Sequence, residues 1–328
     1  MDVSIIICCY NGKAHLRPAL EHIVRQQYDA SLNVEFIFVD NASTDGSADY
    51  VQKVWSELKT KMPLQIVRED ESGLIHARRC GVRVARGKYI IFCDDDNWLR
   101  EDYVQKAYEL MEKMPNVGVL GGQGALAPYI KAPDWWEGNQ CNYAAGKQLS
   151  STGIANERGF LNGAGLVTPR NLAQKIFNEA YPFLLTGRKG NACLSGEDWE
   201  YCKRARMMGY DLYYSEDLFY WHDIDMSRLT EDYLQKLLLS FQQGGAIHEK
   251  YLTALSYQQE KWWSHILTLA CKVCNYIITP IPNKERKKHL LYLYSYMMGL
   301  VSKEDSEFDV VKNFIKYANQ IKKEGQCC

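Results

Sequence analysis

Short apolar runs alternate with amphipathic stretches through the first 120 residues of the chain. Five runs have the length of a β-strand and are nearly continuous in apolar residues, which is typical of parallel strands buried on both faces. They cover residues 3–9, 35–40, 64–68, 88–93 and 117–120. Between them, residues 14–27, 51–58, 73–86 and 101–114 carry apolar residues on one helical face, and each stretch predicts a helix.

This alternation predicts the fold class. A βαβαβαβαβ order requires an α/β fold in which a mostly parallel sheet is flanked by helices on both faces. Beyond Gly121 the chain changes to loops rich in Gly, Asn and Trp, with few clear periods before Glu197. The remaining predicted elements are a helix over 198–208 and two strands over 212–214 and 218–220.

After Asp225 the pattern is helical to the end of the chain. We therefore predict an α/β domain over residues 1–225 and a helical C-terminal extension over residues 226–328.

Composition excludes several classes of protein. With 46% apolar and 24% charged residues among 328, the chain can build a sizeable core and is not disordered. A net charge of -1 argues against broad nucleic-acid binding. The opening residues show no signal-peptide pattern, so we expect a cytoplasmic protein in which the 11 cysteines are reduced thiols.

Polar residues follow three of the predicted strands directly. Tyr10 and Asn11 come after the first strand, Asp40 after the second, and Asp94, Asp95 and Asp96 after the fourth. Ligands of open α/β sheets bind outside the carboxyl ends of the strands, so the topology predicts that these groups share one rim. Three adjacent carboxylates repel one another unless a cation lies among them, and Mg²⁺ or Mn²⁺ commonly bridges carboxylates to phosphates. A solvated acidic turn remains an equal alternative at this point.

Further motifs occur in a fixed order over residues 1–225. They are the opening strand with its Tyr-Asn turn, Glu-Phe-Ile-Phe-Val-Asp-Asn-Ala-Ser-Thr-Asp-Gly-Ser at 35–47, Ser72-Gly73 with Ala77-Arg78, Gly-Lys-Tyr-Ile-Ile-Phe at 87–92 before the aspartates, and Ser-Gly-Glu-Asp at 195–198. Together they resemble the family 2 glycosyltransferases, which have the GT-A fold. Two positions depart from the family pattern, Cys9 and Cys80, and they leave the base specificity open.

The resemblance implies a binding site for a nucleotide-diphosphate sugar. Its residues would be Cys9, Tyr10, Asn11, Asp40, Arg78, Asp94 and Asp95. Asp40 and Arg78 would contact the base and ribose, and Asp94 would lie near the ribose. Asp96 would hold Mn²⁺ or Mg²⁺ on the diphosphate. Several relatives place a histidine where His222 stands, as a further ligand of the metal or diphosphate, although a histidine at a strand end is as readily structural.

The resemblance also implies the catalytic base. An inverting sugar transfer needs one group that takes the proton from the attacking hydroxyl, while the metal stabilises the leaving diphosphate. The Glu-Asp motif of the family supplies this base, and Asp198 is the matching residue. A carboxylate in the first turn of a helix is also favoured by the helix dipole, so Asp198 as a simple cap is the alternative.

A sugar-binding surface is predicted between the aspartates and the base. The candidates are Trp135, Trp136, Asn162, Gly163 and Glu197. Aromatic faces stack on sugar rings, and small residues let the backbone approach a ligand closely. The alternative is that the tryptophans belong to the core and the glycine to a bulge.

The family resemblance implies a metal-dependent inverting glycosyltransferase that moves a single sugar from a UDP-linked donor to a hydroxyl of a glycan or lipid-linked glycan. The chain lacks the Gln-x-x-Arg-Trp motif and the multiple spans of processive synthases. Two alternatives are a sugar-nucleotidyltransferase, for which the turn at 10–13 is a poor triphosphate loop, and a non-catalytic nucleotide-sugar-binding protein. The intact aspartates and the Glu-Asp motif argue against the second.

Residues 262–282 form an apolar stretch of nearly membrane-spanning length. His265, Lys272 and Asn275 interrupt it, and each polar group would be costly at mid-bilayer, so a spanning helix is disfavoured. A basic cluster at 284–288 follows, then an apolar stretch at 289–301. We expect helices that lie peripherally on the inner face of the membrane; a buried helical pair is the alternative.

Overall fold

The computed structural model describes residues 1–189, 192–193, 196–259 and 306–325. The chain divides into two compact units, Met1–Phe241 and Gln242–Cys328. The first unit therefore continues past Asp225, the residue at which the sequence predicts a boundary.

The strands alternate with helices along the first unit. The strands are β1 (Val3–Cys9), β2 (Val34–Asn41), β3 (Leu64–Glu69), β4 (Tyr89–Asp94), β5 (Asn97–Leu99), β6 (Val117–Leu126), β7 (Gly153–Ile154), β8 (Val167–Pro169), β9 (Arg188–Lys189), β10 (Ala192–Cys193) and β11 (Asp211–His222). The helices are α1 (Leu16–Val24), α2 (Ser47–Leu58), α3 (Leu74–Val84), α4 (Tyr103–Lys113), α5 (Arg170–Ile176), α6 (Glu197–Met207), α7 (Glu231–Gln259) and α8 (Ser306–Gly325). Short 3₁₀ turns occur at Gln140–Tyr143 and Met226–Arg228.

One mixed sheet carries most of these strands in the order β3-β2-β1-β4-β8-β6-β11-β5, with β7 paired to β11. The pairs β1–β2, β2–β3, β1–β4 and β6–β11 are parallel. The short strands β5, β7 and β8 run antiparallel to their neighbours. The predicted α/β class with a mostly parallel sheet is thus confirmed, and the three antiparallel strands are additions that the apolar pattern did not reveal.

Helices cover both faces of the sheet. Ile5 and Ile7 of β1 belong to a buried cluster that includes apolar residues of α1, α2 and α4. Ile6 points to the opposite face and packs on α3, where a Cβ on Gly81 would lie 2.7 Å from Ile6 Cγ2. Because successive side chains of a strand point to opposite faces, the continuous apolar run of β1 is explained by burial on both sides.

The two strands predicted at 212–214 and 218–220 are one strand, and that prediction was wrong. β11 continues through Ser215, and its register against β6 shifts between Tyr214 and Phe219. An irregularity of this kind lets a strand accept polar residues without ending, so a break in the apolar pattern does not mark a break in the strand.

A buried ion pair holds the start of α6. Arg204 and Glu200, one helical turn apart and both with fully buried side chains, lie 2.8 Å from each other. Arg204 donates to the backbone oxygens of Tyr181 and Pro182, and Glu200 accepts from the backbone N–H of Leu185. The pair therefore fixes the first turn of α6 to the segment that follows α5.

The C-terminal unit has helical structure where it is described. Val311, Phe314 and Ala318 form the buried side of α8, and Lys250 of α7 pairs with Glu307 at 2.6 Å. Among the described helices, none combines the length and the apolar composition needed to cross a membrane. The stretches at 262–282 and 284–301, on which the prediction of membrane contact depends, lie outside the described residues.

Replacing Glu200 with alanine should lower the free energy of unfolding by about 3–5 kcal/mol, because it leaves the Arg204 charge buried without its partner. Denaturant unfolding followed by tryptophan fluorescence measures this change. The matched control is Glu109→Ala on α4, whose carboxylate is exposed and pairs with Lys113, and which should cost less than about 0.5 kcal/mol. Equal losses in the two variants would contradict the role given to the buried pair.

Candidate active site

A cleft of about 500 Å³ opens at the edge of the sheet where β1 and β4 end. Within the described part of the chain, five carboxylates line it: Asp94, Asp95, Asp96, Glu197 and Asp198. Its cationic or titratable nitrogen groups belong to Arg78, Arg158, His222 and Arg228. The predicted residues Cys9, Tyr10, Asn162 and Gly163 also line the cleft, whereas Asn11, Asp40, Trp135 and Trp136 do not.

The strand register explains how the motifs meet. Cys9 lies opposite Asp40 of β2, and Cys8 lies opposite Asp94 of β4. The carboxyl ends of three parallel strands are therefore level with one another, as the topology requires. Cys9 itself is buried, whereas Tyr10 is 52% exposed at the mouth of the cleft.

Asn11 and Asp40 connect loops. Asn11 accepts a hydrogen bond from the backbone N–H of Thr44 through Oδ1, at 2.8 Å. The Asp40 carboxylate accepts from the backbone N–H of Ser43 at 3.0 Å and from Arg68 at 2.8 Å. The Asn11 bond holds the turns after β1 and β2 against each other, whereas Asp40 stabilises the turn after β2 and connects it to β3.

Arg78 lines the cleft with a buried guanidinium. Its guanidinium, 4% exposed, donates to Asp198 Oδ1 at 2.7 Å and lies 3.7 Å from Asp94 Oδ1. Burial alone would lower the pKa of Arg78, but the charges of these two carboxylates raise it above its usual value. The residue is thus a permanent cation that joins α3 to the end of β4 and the start of α6.

Asp198 is held on both oxygens. Oδ1 accepts from Arg78, and Oδ2 accepts from the backbone N–H of Gly163 at 2.7 Å. A Cβ on Gly163 would lie 2.2 Å from Asp198 Oδ1, so only glycine allows this approach. A carboxylate has about four lone-pair sites, so Asp198 can accept a further hydrogen bond from a donor in the cleft.

Three other carboxylates, those of Asp94, Asp95 and Glu197, are less favoured as anions. Burial raises the pKa of Asp95 to about 7, and the neighbouring Asp96 adds to the shift. Burial likewise raises the pKa of Asp94, against the opposing charge of Arg78. Burial and the Asp198 charge raise the pKa of Glu197 to about 7. A cation brought into the cleft would relieve this accumulation of negative charge.

Asp96 and His222 have the chemistry of a divalent metal site. The His222 ring contacts the Tyr143 carbonyl through Nδ1 at 2.8 Å, and Nε2 lies 3.2 Å from Asp96 Oδ2. A carbonyl can only accept, so Nδ1 carries a hydrogen and, in the neutral ring, the Nε2 lone pair faces a carboxylate oxygen. Two facing acceptors repel unless a proton or a metal cation lies between them.

The fit is that of a partial site. Arg228 also contacts Asp96 Oδ2, at 3.1 Å, and supplies a positive charge there. No group of three or more His, Cys, Asp or Glu side chains is arranged to hold a metal ion among the residues described. Mg²⁺ and Mn²⁺ commonly take the rest of their ligands from phosphates and water, so two protein ligands are compatible with such an ion.

Trp135 and Trp136 pack in a hydrophobic cluster. Trp136 is 9% exposed and lies 5.1 Å from Tyr143, ring centre to ring centre. The cluster includes Ile224 and Leu234 and has Trp135 packed against it. This arrangement corresponds to the core alternative that the sequence allowed for these tryptophans.

Several residues of the cleft were missed. Asn41 follows the second strand beside Asp40, and this position was the signal for it, but no role was assigned to it from the sequence; it connects β2 to the start of α3 by accepting from the Gly73 N–H and donating to the Glu71 carbonyl. Trp199 follows the Glu-Asp motif directly, which was a second signal. Arg158 and Phe160 lie in the region without periodicity, where no sequence pattern singled them out.

Known proteins resemble this chain in sequence. Residues 4–137 match the family described as Glycosyl transferase family 2. Glycosyltransferase GlyA of Streptococcus pneumoniae is 30% identical over 118 residues, which is 36% of this chain and 16% of that protein. The UDP-Glc:alpha-D-GlcNAc-diphosphoundecaprenol beta-1,3-glucosyltransferase WfaP of Escherichia coli is 32% identical over 110 residues, or 34% of this chain and 41% of that protein. Each match covers less than half of the relative.

Solved structures share the fold. S. aureus TarS 1–349 in complex with UDP has a TM-score of 0.54 at 13% identity, over 99% of this chain and 88% of that one. The mannosyltransferase PcManGT from Pyrobaculum calidifontis, in complex with GDP-Man and Mn²⁺, has a TM-score of 0.53 at 18% identity, over 99% and 86%. At these identities the likeness establishes the fold, which is the GT-A fold.

Proposed function

We propose, on the premise that this chain belongs to the family 2 glycosyltransferases, that it transfers one sugar from a UDP-linked donor to a hydroxyl group with inversion. One observation carries the proposal. Asp198 forms an ion pair with Arg78, which also lies near Asp94, in a cleft at the carboxyl ends of the parallel strands. A UDP-linked donor is supported by the UDP complex of TarS and by the name of WfaP.

Asp198 acts as the general base in this proposal. The acceptor's hydroxyl oxygen forms a bond to the anomeric carbon, the bond from that carbon to the diphosphate breaks, and its electron pair leaves with the nucleoside diphosphate. The proton of the hydroxyl goes to Asp198. Arg78 and the Gly163 N–H hold the carboxylate in position, so the geometry of the base does not depend on the acceptor.

Asp96 and His222 would hold a divalent cation, Mn²⁺ or Mg²⁺, in the proposed enzyme. When bound, the cation supplies charge neutralisation for the departing diphosphate. Cys9, Tyr10 and Asp95 lie at the same end of the cleft and would line the nucleotide-sugar site. Asn11 would support this site by holding its two loops together, and Asp40 by stabilising the loop after β2.

The acceptor in this proposal is a glycan or a lipid-linked glycan. WfaP acts on a diphosphoundecaprenol-linked sugar by its name, and such acceptors are found at membranes. We further propose that residues 262–301 bring the protein to the inner face of a membrane, because a basic cluster there adjoins two apolar stretches. Flotation with anionic and neutral liposomes at low salt checks this: binding should need the anionic lipid, and a chain that stays at the bottom of the gradient contradicts it.

Asp198→Asn should reduce sugar transfer by about two to four orders of magnitude, since it keeps the size of the side chain and removes the proton acceptor. UDP binding should change little, whereas the thermal unfolding midpoint should fall, because the buried Arg78 loses one of its two carboxylates. Both are measured beside the turnover number, at a temperature where the variant remains folded. Asp134→Asn, an exposed aspartate of the same unit, is the matched control. A variant that keeps more than about a tenth of the parental turnover would place the base elsewhere.

Asp96→Ala should remove the gain in UDP affinity that Mn²⁺ gives to the parent protein, because it deletes a proposed ligand of the ion. Calorimetric titration with UDP, with and without Mn²⁺, measures this gain directly and needs no turnover. Asp49→Ala on the exposed side of α2 should retain it. If Asp96→Ala binds UDP as tightly as the parent in Mn²⁺, the metal assignment fails.

A further inference from the structure

Among the residues that the structure describes, one arginine of the cleft is not paired with a carboxylate. Arg78 pairs with Asp198 and Asp94, and both Arg228 and His222 contact Asp96. Arg158 also lines the cleft, yet in the described ranges it forms no ion pair. A cation that pairs with none of the described carboxylates is available to an anion that enters the cleft.

The Arg158 side chain is fixed in position. Its Nη1 donates to the backbone oxygen of Gln148 at 2.7 Å, and its guanidinium lies 4.4 Å from the ring centre of Phe160. Its Nε is buried and makes no hydrogen bond. Burial lowers the pKa of Arg158, as expected for a cation that has lost water without gaining an anion. An incoming anion would restore the lost stabilisation.

An aromatic wall connects Arg158 to the proposed base. The ring of Phe160 lies 5.4 Å from that of Trp199, and Trp199 lies 5.6 Å from Phe241, centre to centre. Trp199 directly follows Asp198 in α6. All three rings line the cleft, and aromatic faces of this kind stack against sugar rings.

Gln148 connects Arg158 to the same region by a second route. Its backbone oxygen accepts from Arg158, and its side-chain oxygen accepts from the backbone N–H of Asn162 at 2.8 Å. The next residue, Gly163, donates to Asp198. The arginine, the wall and the base therefore belong to one connected side of the cleft. The attacking hydroxyl must stand on this side, because Asp198 takes its proton.

We infer that Arg158 and the wall of Phe160, Trp199 and Phe241 form the acceptor subsite, and that Arg158 selects an acceptor whose sugar carries an anionic group. The inference rests on the proposed function, since it takes Asp198 as the base. The shared chemistry is an anionic oxygen cluster on or next to a sugar ring, either a phosphate ester or a uronic carboxylate. A guanidinium binds both groups with two parallel N–H···O bonds.

The experiment compares acceptors that differ only in charge. Sugar transfer is measured from a UDP-sugar to a neutral methyl hexoside, to the corresponding methyl hexuronide and to the corresponding hexose phosphate. In the parent protein, kcat/KM for one anionic acceptor should exceed that for the neutral one by about 10- to 100-fold, the equivalent of one charge-assisted hydrogen-bonded pair. The two anionic acceptors distinguish the carboxylate from the phosphate.

Three variants test the assignment to Arg158. In Arg158→Gln the ratio of anionic to neutral kcat/KM should fall to about one, chiefly through KM, whereas Arg158→Lys should keep part of it. The matched control is Lys147→Gln, which removes an exposed charge paired with Glu216 and should retain the parental ratio. Thermal unfolding midpoints show whether each variant is folded. The ratio of anionic to neutral kcat/KM in the parent protein tests the inference even where a variant does not fold.

The outcomes separate the two proposals. A parent that transfers sugar with no preference for an anionic acceptor, or a preference that survives in Arg158→Gln, overturns the inference and leaves the proposed function standing. If Arg158→Gln weakens UDP binding about tenfold and keeps the acceptor ratio, the arginine serves the donor and the inference is again overturned. A parent that binds UDP-sugars but neither transfers nor hydrolyses them overturns the proposed function itself, and the acceptor subsite with it.

Discussion

A buried guanidinium between two carboxylates is the interaction on which the cleft depends. Arg78 comes from α3, Asp94 from the end of β4, and Asp198 from the first turn of α6. Each element is fixed by its own packing, and this cluster brings their polar ends together, with a hydrogen bond to Asp198 at 2.7 Å and an ion pair with Asp94 at 3.7 Å. The cost of burying a charge makes the arrangement specific, because Arg78 is stable there only while both carboxylates remain beside it. The chemistry proposed for Asp198 uses a carboxylate that the fold already holds.

The same electrostatic reasoning applies to the rest of the cleft. Its carboxylates outnumber the cations that neutralise them, and burial makes Asp95 and Glu197 weaker acids than usual. A polyanionic donor can bind in such a place only with added positive charge, which explains why a divalent cation at Asp96 and His222 suits the proposed function. Arg158 extends the argument to the side of the cleft beside Asp198, where its positive charge pairs with none of the described carboxylates and an anionic substrate would neutralise it.

Site residues at the strand ends could be predicted more fully from the sequence than those in the region after residue 121. The polar groups after β1, β2 and β4 could be placed together because parallel strands in one sheet end at one rim. Asn11 and Asp40, however, are not among the residues that line the cleft: Asn11 bonds to the loop after β2, and Asp40 bonds to Ser43 of its own turn and to Arg68 of β3. A side chain at a strand end can point either to the cleft or to the neighbouring backbone. Trp135 and Trp136 looked suited to a sugar surface, and Trp136 is buried instead. Nothing in a loop without periodicity indicates which aromatic rings face a ligand.

The sequence by itself determined the elements whose burial repeats with a regular period. The apolar runs of β1, β2 and β4 and the one-sided helices between them require a parallel sheet covered on both faces. The polar motifs stand directly after those strands, so their position at one edge of the sheet could be predicted as well. Only the tertiary structure decided which distant side chains meet. Arg78 and Asp198 are far apart in the chain, and their contact depends on how α6 is anchored by Glu200 and Arg204. Periodicity records whether a residue is buried, but contacts between segments depend on packing that no local pattern contains.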